Sequence, residues 1–356
     1  MKILFCGLKY EYGKPHLGLS AIEYSTFYET LKRMPGVECD FFGMDEKILE
    51  VGKGVVDAEL IKTVEETKPD LLFCFLFTDQ LKIETIEYIT KNTKTKTFNW
   101  FADDHWRFPV YSRFWAPAFS FVSTTDSKAV PKYQALGVKN VIKTQWAANT
   151  QVYKPQDLAK DSGKYKITFV GANYGNRSEY VENLKAQGLP AEGFGNKWPA
   201  GRVSQEQMLE IFSFSKINLN FTETPYMTAK DRLKVLAKLF VKKQSDKYEF
   251  NAHRIVDNFK SALGTQRRQI KGRTFEVPAC GGLLMTGGAD NLEEYFVSGK
   301  EVIIFKDRED LAKKCKYYLE HEDERKAIAK AGYERTIKEH TYEKRFTEIF
   351  KAMGLV

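Results

Sequence analysis

The chain has few cysteines. The five in 356 residues stand far apart, at Cys6, Cys39, Cys74, Cys280 and Cys315. An odd number at wide spacing, with three inside strand-like runs, points to reduced thiols in the core rather than to disulfides or a metal finger. No apolar run approaches the ~20 residues that cross a bilayer, and the apolar start MKILFCGL is too short for a signal peptide and lacks a small-residue cleavage pattern. A cytoplasmic protein is expected. Long basic blocks, aromatic RNA-binding patterns and Cys/His fingers are all missing, so the net charge of +8 does not indicate nucleic acid. That charge suits a small anionic ligand, which positive surfaces concentrate. Internal repeats and low-complexity tracts are missing too.

What is present is an alternation of apolar, β-rich runs with helical periods. In the first half the runs fall at 2–8, 37–43, 70–77, 96–102, 119–124 and 140–146, with helical segments at 20–33, 58–66, 83–91 and 128–136. This is the pattern of a parallel sheet wrapped by helices. Runs such as LLFCFLF, apolar on both faces, fit a sheet covered on both sides. After a polar, Pro-containing stretch at 149–164, which has the composition of an interdomain linker, strands recur at 165–171, 190–194, 217–221, 283–286 and 301–305. The expected fold is therefore α/β with two Rossmann-like domains, 1–150 and 151–340, facing a cleft into which the carboxyl ends of the strands point. Residues 222–269 break the alternation and read as a helical insertion, with helices at 229–243 and 252–262. The lysine-rich, amphipathic 229–243 segment is either packed on its own domain or a cap, a subunit contact or a peripheral membrane contact. Helices are expected at 309–319, 322–339 and 342–353, with an acidic helix start at Asp290, Glu293 and Glu294 after Gly287 and Gly288.

Several residues are candidates for chemistry. Glu276 lies in FEVPACGG, which runs into the strand-like LLMT. A carboxylate beside the backbone N–H groups of Gly281 and Gly282 could take a ribose diol with both oxygens. The turn FVGANYGNRSEY places Gly171, Asn173 and Arg177 between a strand and a helix start. That combination serves a phosphate, or simply a structural turn. Arg268, Lys271 and Arg273 cluster just before Glu276, where cations would neutralise a diphosphate leaving group. At the end of the 96–102 strand stand Asp103, Asp104 and His105, candidates to deprotonate an acceptor hydroxyl. Adjacent aspartates also cap helices without any such role. The first loop carries Lys14 and His16, which read equally as acceptor contacts or as loop structure. Asn218 and Asn220 in KINLNFT hold either neighbouring backbone or a nucleotide base. A metal at Asp103 and Asp104 is not expected, and no cofactor is implied.

The segment from Phe275 to Arg345 resembles the C-terminal signature of the GT-B glycosyltransferases, in the branch named after the spore-maturation protein CgeB. It carries Phe275, Glu276, Pro278, Ala279, Gly281, Gly282, Leu284 and Thr286, then Gly299, Glu301, Phe305, Asp307 and Leu311. Ala331, Gly332, Tyr333, Arg335, His340, Thr341, Tyr342 and Arg345 complete it. The "VG..y..R" element around Arg177 and the WFADD element are similar to that branch as well. The resemblance implies a metal-independent transferase moving a sugar from a nucleoside-diphosphate-sugar donor to a hydroxyl of a glycan, lipid-linked glycan, protein or metabolite. It also implies that 341–356 packs back on the first domain. Many retaining members place a first glutamate where this chain has Arg268. The competing readings are a nucleotide-sugar epimerase or hydrolase of the same fold, and a non-catalytic carbohydrate- or nucleotide-binding scaffold.

Overall fold

The structure is a computed structural model. It describes all residues except 158, 160, 162, 223–240, 245–246, 251–254 and 266, and for 241–244 and 247–250 the backbone alone. The chain divides into two compact units, Met1–Gln145 with Tyr342–Val356, and Trp146–Thr341.

The first unit is built on β1 (Lys2–Gly7), β2 (Glu38–Gly43), β3 (Leu71–Cys74), β4 (Lys96–Phe101), β5 (Phe121–Thr124) and β6 (Val141–Lys143). They pair in parallel in the order β2-β1-β3-β4-β5-β6. All four residues of β3 are buried, as a run apolar on both faces requires. One face is filled by an aromatic cluster of Phe5, Phe27, Phe73, Phe98 and Trp100, with rings about at right angles or tilted. Phe346, from the C-terminal helix Tyr342–Ala352, inserts among them, 5.4 Å from Phe27 and 5.6 Å from Phe73. Lys96 Nζ caps the end of that helix by donating to the Met353 carbonyl at 2.9 Å. Because the sheet is parallel, every strand releases its chain at the same edge. The loops after β1 and β4 therefore lie on one side of the unit.

The second unit holds β7 (Ile167–Val170), β8 (Ala191–Phe194), β9 (Ile217–Asn220), β12 (Leu284–Gly287) and β13 (Ile303–Phe305), in the parallel order β13-β12-β9-β7-β8. The order reverses at β7, whose outgoing turn is thus the switch point where ligands of such sheets sit. All five strands fall where the sequence pattern puts them. All five cysteines are free and buried.

Two expectations change. The 229–243 helix lies mostly outside the described residues, and its described end is not helical: Val241–Gln244 forms β10, paired antiparallel with β11, Lys247–Phe250. Tyr248 and Phe250 alternate with polar residues in β11, and that period of two favours a strand. The 252–262 helix is described as Ile255–Gly264. The insertion is therefore mixed rather than purely helical. In addition, the acidic stretch after Gly288 makes one short turn, Leu292–Glu294, instead of starting a helix.

Candidate functional site

In the second unit the turn after β7 leads into the helix Arg177–Ala186. Gly175 supplies the left-handed φ of +68° that the turn needs. Asn176 precedes the helix without capping it through its side chain, which leaves the positive helix end available to an anion. Arg177 itself is drawn inward. Its guanidinium lies 4.1 Å over the Tyr174 ring and 5.2 Å over Phe169, and it donates to the Ala172 carbonyl at 2.8 Å. Its Nε is buried and has no hydrogen-bond partner among the described residues. Burial lowers its pKa, and the positive charge of Arg273 adds to the effect. The two guanidinium groups are near enough to repel, and the Nε of Arg273 is also buried without a partner.

Arg273 opens a helix, Arg273–Ala279, that also carries Glu276. The sequence suggested a strand entrance here. The helix forms despite Pro278 because Thr274, Phe275, Val277 and Ala279 are all buried against the sheet and its flanking helices. Beneath it, Asn220 Nδ2 donates to the hydroxyls of Thr274 at 3.3 Å and Thr286 at 3.0 Å, fixing the helix to β9 and β12. The Glu276 side chain leans back along its own helix, as helical side chains do. Its Oε1 stands where a Cβ on Gly272 would be only 2.9 Å away. Burial pushes the Glu276 carboxyl up, opposed by the adjacent Arg273 and by a hydrogen bond from the Tyr153 hydroxyl. Arg177, Arg273 and Glu276 thus stand together. Tyr153 was missed, because it lies in the stretch read as linker.

Other sequence candidates have different places. Gly281, at φ +76°, ends the Glu276 helix, with its N–H donated to Pro278 O at 2.8 Å and the N–H of Gly282 to Val277 O at 3.2 Å. Neither N–H is left for a ligand. Gly282 is also a packing glycine, since a Cβ there would meet the Phe212 carbonyl at 2.1 Å. Gly171 gives its N–H to Phe194 O, and Asn173 gives its own to Asn196 O. Lys271 is half-buried and its carbonyl starts the Glu276 helix by accepting from Thr274 N. Arg268, at the position of the missing first glutamate, is exposed. Asn218 and Asn220 are both buried and bond the Phe212 carbonyl and the threonine hydroxyls, so they serve the scaffold rather than a base. The motif residue His340 is likewise internal: its Nε2 meets Tyr295 O at 2.8 Å, among Phe275, Tyr295 and Phe296.

In the first unit, Asp103 follows β4 in the left-handed region, at φ +59°, a conformation aspartate tolerates better than most residues. It stays partly open to solvent, and its Oδ1 lies 3.9 Å from Nδ1 of the buried His105. Asp104 is fully buried and accepts from the Tyr133 hydroxyl at 2.7 Å. Burial pushes its carboxyl up to about 6, against the neighbouring hydroxyls of Ser112, Thr124 and Tyr133. So enclosed, it cannot touch a substrate, and Asp103 is the candidate of the pair. Lys14 and His16 are exposed on the loop after β1. That loop is an arch closed by Glu11 N to Leu19 O and Ala21 N to Lys9 O. The Asp45 carboxylate pins its foot through the N–H groups of Lys9 and Tyr10.

With that geometry in place, comparison with known proteins is informative. Residues 243–351 match the family model described as glycosyl transferase-like. No curated protein sequence matches this chain. Among solved structures, HepE from Anabaena in complex with UDP-glucose is similar over 100% of both chains, with a TM-score of 0.60 and 11% identity. Sucrose-phosphate synthase from Thermosynechococcus elongatus matches over 99% of this chain and 97% of its own, with a TM-score of 0.61 and 10% identity. A glycosyltransferase from Rickettsia africae matches over 99% and 98%, with a TM-score of 0.59 and 11% identity. Two parallel-sheet α/β units in this order are the fold that the chain shares with these proteins, the GT-B fold.

Proposed function

We propose that the protein is a glycosyltransferase that moves a sugar from a nucleoside-diphosphate-sugar donor to an acceptor hydroxyl. The observation that carries this reading is the Arg177–Arg273 pair: two neighbouring guanidinium groups, each with a buried Nε–H lacking a partner among the described residues, beside Glu276 at the switch point of a sheet. Two neighbouring guanidinium groups beside a single carboxylate leave positive charge over, and a diphosphate is an anion that spans two guanidinium groups and a helix N-terminus. Glu276 accepts the ribose hydroxyls. Arg177, Arg273 and Lys271, with the N-terminus of the Arg177–Ala186 helix, take the charge that grows on the diphosphate as its bond to the sugar breaks. Because these groups supply the positive charge, transfer proceeds without a bound metal, and activity survives chelation by EDTA.

The acceptor is assigned to the first unit. Asp103 takes the hydroxyl proton, with His105 beside it, and Lys14 and His16 on the arch contact the acceptor. The resemblance to the CgeB branch supports the same donor class, as does the UDP-glucose bound by the structurally similar HepE. No helix among the described residues is long and apolar enough to cross a membrane. A glycan, lipid-linked glycan, protein or metabolite in the cytoplasm remains the acceptor class. The test is a thermal-shift and isothermal-titration panel of UDP, GDP, ADP and their sugars. At least one is expected to bind, with binding lost in Arg177→Ala. Absence of binding across the panel sinks the reading.

A further inference from the structure

We propose that Tyr153 is a positioning residue for Glu276, its hydroxyl holding the carboxylate in the orientation in which it meets the ribose diol. The inference rests on the donor reading above. It concerns a residue in the polar stretch that the sequence marks only as a connector.

Three consecutive residues of that stretch are laid against the Glu276 helix. Tyr153 is set by a turn in which its N–H donates to Asn149 O at 2.8 Å, and its ring lies on Phe212, 6.4 Å between centroids and 30° between planes. The Lys154 N–H reaches the Cys280 thiol at the helix end. Pro155 packs on Gly281, where a Cβ would stand 3.6 Å from the proline ring. A side chain anchored at its ring and on both sides of its backbone has little freedom left, so its hydroxyl is a fixed donor. That hydroxyl is bonded to the Glu276 carboxylate.

The consequence follows from the acceptor capacity of a carboxylate. Two oxygens offer about four lone-pair directions, and a ribose diol uses two of them. The Tyr153 hydroxyl uses one and leaves the diol its pair. Without it, a glutamate with three soft torsions must be ordered when the donor arrives, and that ordering weakens binding. The groups facing Glu276 are Tyr153 from the connector, Arg273 from its own helix, and the Cys280 thiol at that helix's end. Tyr153 and Arg273 favour the charged carboxylate, and burial disfavours it.

Tyr153→Phe keeps the ring and removes only the donor. Binding of the tightest ligand among UDP, GDP and ADP would be titrated from pH 5 to 9 in the wild type, Tyr153→Phe, Glu276→Gln and the double variant. Thermal unfolding would be followed over the same range. The expected result is a loss of about five- to tenfold in nucleotide affinity in Tyr153→Phe, with the pH midpoint of binding moved upward. In the Glu276→Gln background the same change is expected to cost less than about twofold, since the partner is gone. A melting-temperature difference between wild type and Tyr153→Phe that widens as pH rises is expected as well, because only the ionised carboxylate needs the hydroxyl. Equal losses in both backgrounds, or an unmoved pH midpoint, overturn the positioning role. If no nucleotide binds the wild type, the donor reading fails, while the pH dependence of unfolding still tests the Tyr153–Glu276 contact by itself.

Discussion

Asp104 and Arg177 are both charged side chains withdrawn from water near the end of a strand, one in each unit, and their surroundings satisfy them differently. Asp104 is met from within: the Tyr133 hydroxyl donates to its Oδ2 at 2.7 Å, the hydroxyls of Ser112 and Thr124 lie near it, and burial raises its carboxyl to about 6 rather than leaving a stark charge. Arg177 is stacked on Tyr174 and given one carbonyl, and Arg273 beside it makes the local charge worse. The other oxygen of Asp104, Oδ1, is buried with no hydrogen-bond partner among the described residues, so the first arrangement meets its single acid with neutral groups and does so incompletely. The second holds two like charges together, with Glu276 as the acid beside them. Buried polar groups left unpaired cost free energy in both places, and in the second a bound anion would also relieve the repulsion between the arginines. The cluster after β4 thus surrounds one acid with neutral donors, whereas the cluster after β7, on the reading proposed above, is kept for an anion.

The largest effect that would break this contrast is expected at the arginines. Arg177→Ala should lower nucleoside-diphosphate affinity by about two orders of magnitude, since a charge-assisted hydrogen bond is worth ~1.5–3 kcal/mol and the buried site screens little. Without ligand its melting temperature should not fall, and should rise if relief of repulsion outweighs lost stacking. An arginine present only for packing would show the reverse, with lower stability and unchanged affinity. Calorimetry and thermal unfolding of one variant separate the two outcomes.

Asp104→Asn should do the opposite, acting on stability and its pH dependence. The folded-state carboxyl is raised from an ordinary value near 3.8 to about 6, so its contribution is full below about pH 4 and is lost as pH rises through 6. Asparagine does not titrate. The variant should therefore gain on the wild type between pH 4 and pH 7, by something of the order of 2 kcal/mol. Glu23, buried beside Asp45 and raised to about 7, titrates in an overlapping window, so the quantity to read is the difference between variant and wild type in urea unfolding at each pH. A flat difference means Asp104 is charged throughout.

The sequence carried the strands and lost some of the site, for physical reasons visible in particular residues. β3 and β7 are legible because burial on both faces demands unbroken apolar runs, and Arg177 is legible because a Gly-containing turn after a strand is a local event. Glu276 was placed on a strand entrance because Val277 and Pro278 suggest extended chain. Only tertiary burial of Phe275 and Ala279 shows why a helix forms. Gly281 and Gly282 looked like ligand-facing donors, but helix termination and close packing against Phe212 account for both. Much of the family-like pattern beyond them serves packing as well. His340 ties down Tyr295, and Gly332 lets its helix approach the Glu301 carbonyl, where a Cβ would come within 2.3 Å. Tyr153 carries no local signal. Its meaning comes from a contact with a residue more than a hundred positions away, which no window on the sequence spans.

The smallest expected effect sharpens the comparison most, because stability and binding should come apart at a single methyl group. Gly272 already has helical angles, φ −50° and ψ −41°, so alanine suits its backbone. The added Cβ would meet Glu276 Oε1 at 2.9 Å, and the flexible carboxylate would swing aside rather than the helix move. Gly272→Ala should then melt no lower than the wild type while binding nucleoside diphosphate several-fold more weakly, with free phosphate or pyrophosphate affected less, since neither has a ribose for Glu276 to hold. If nucleotide and pyrophosphate weaken alike, the carboxylate faces the phosphates and not the sugar of the nucleotide, and the roles of Glu276 and its two arginines must be redrawn.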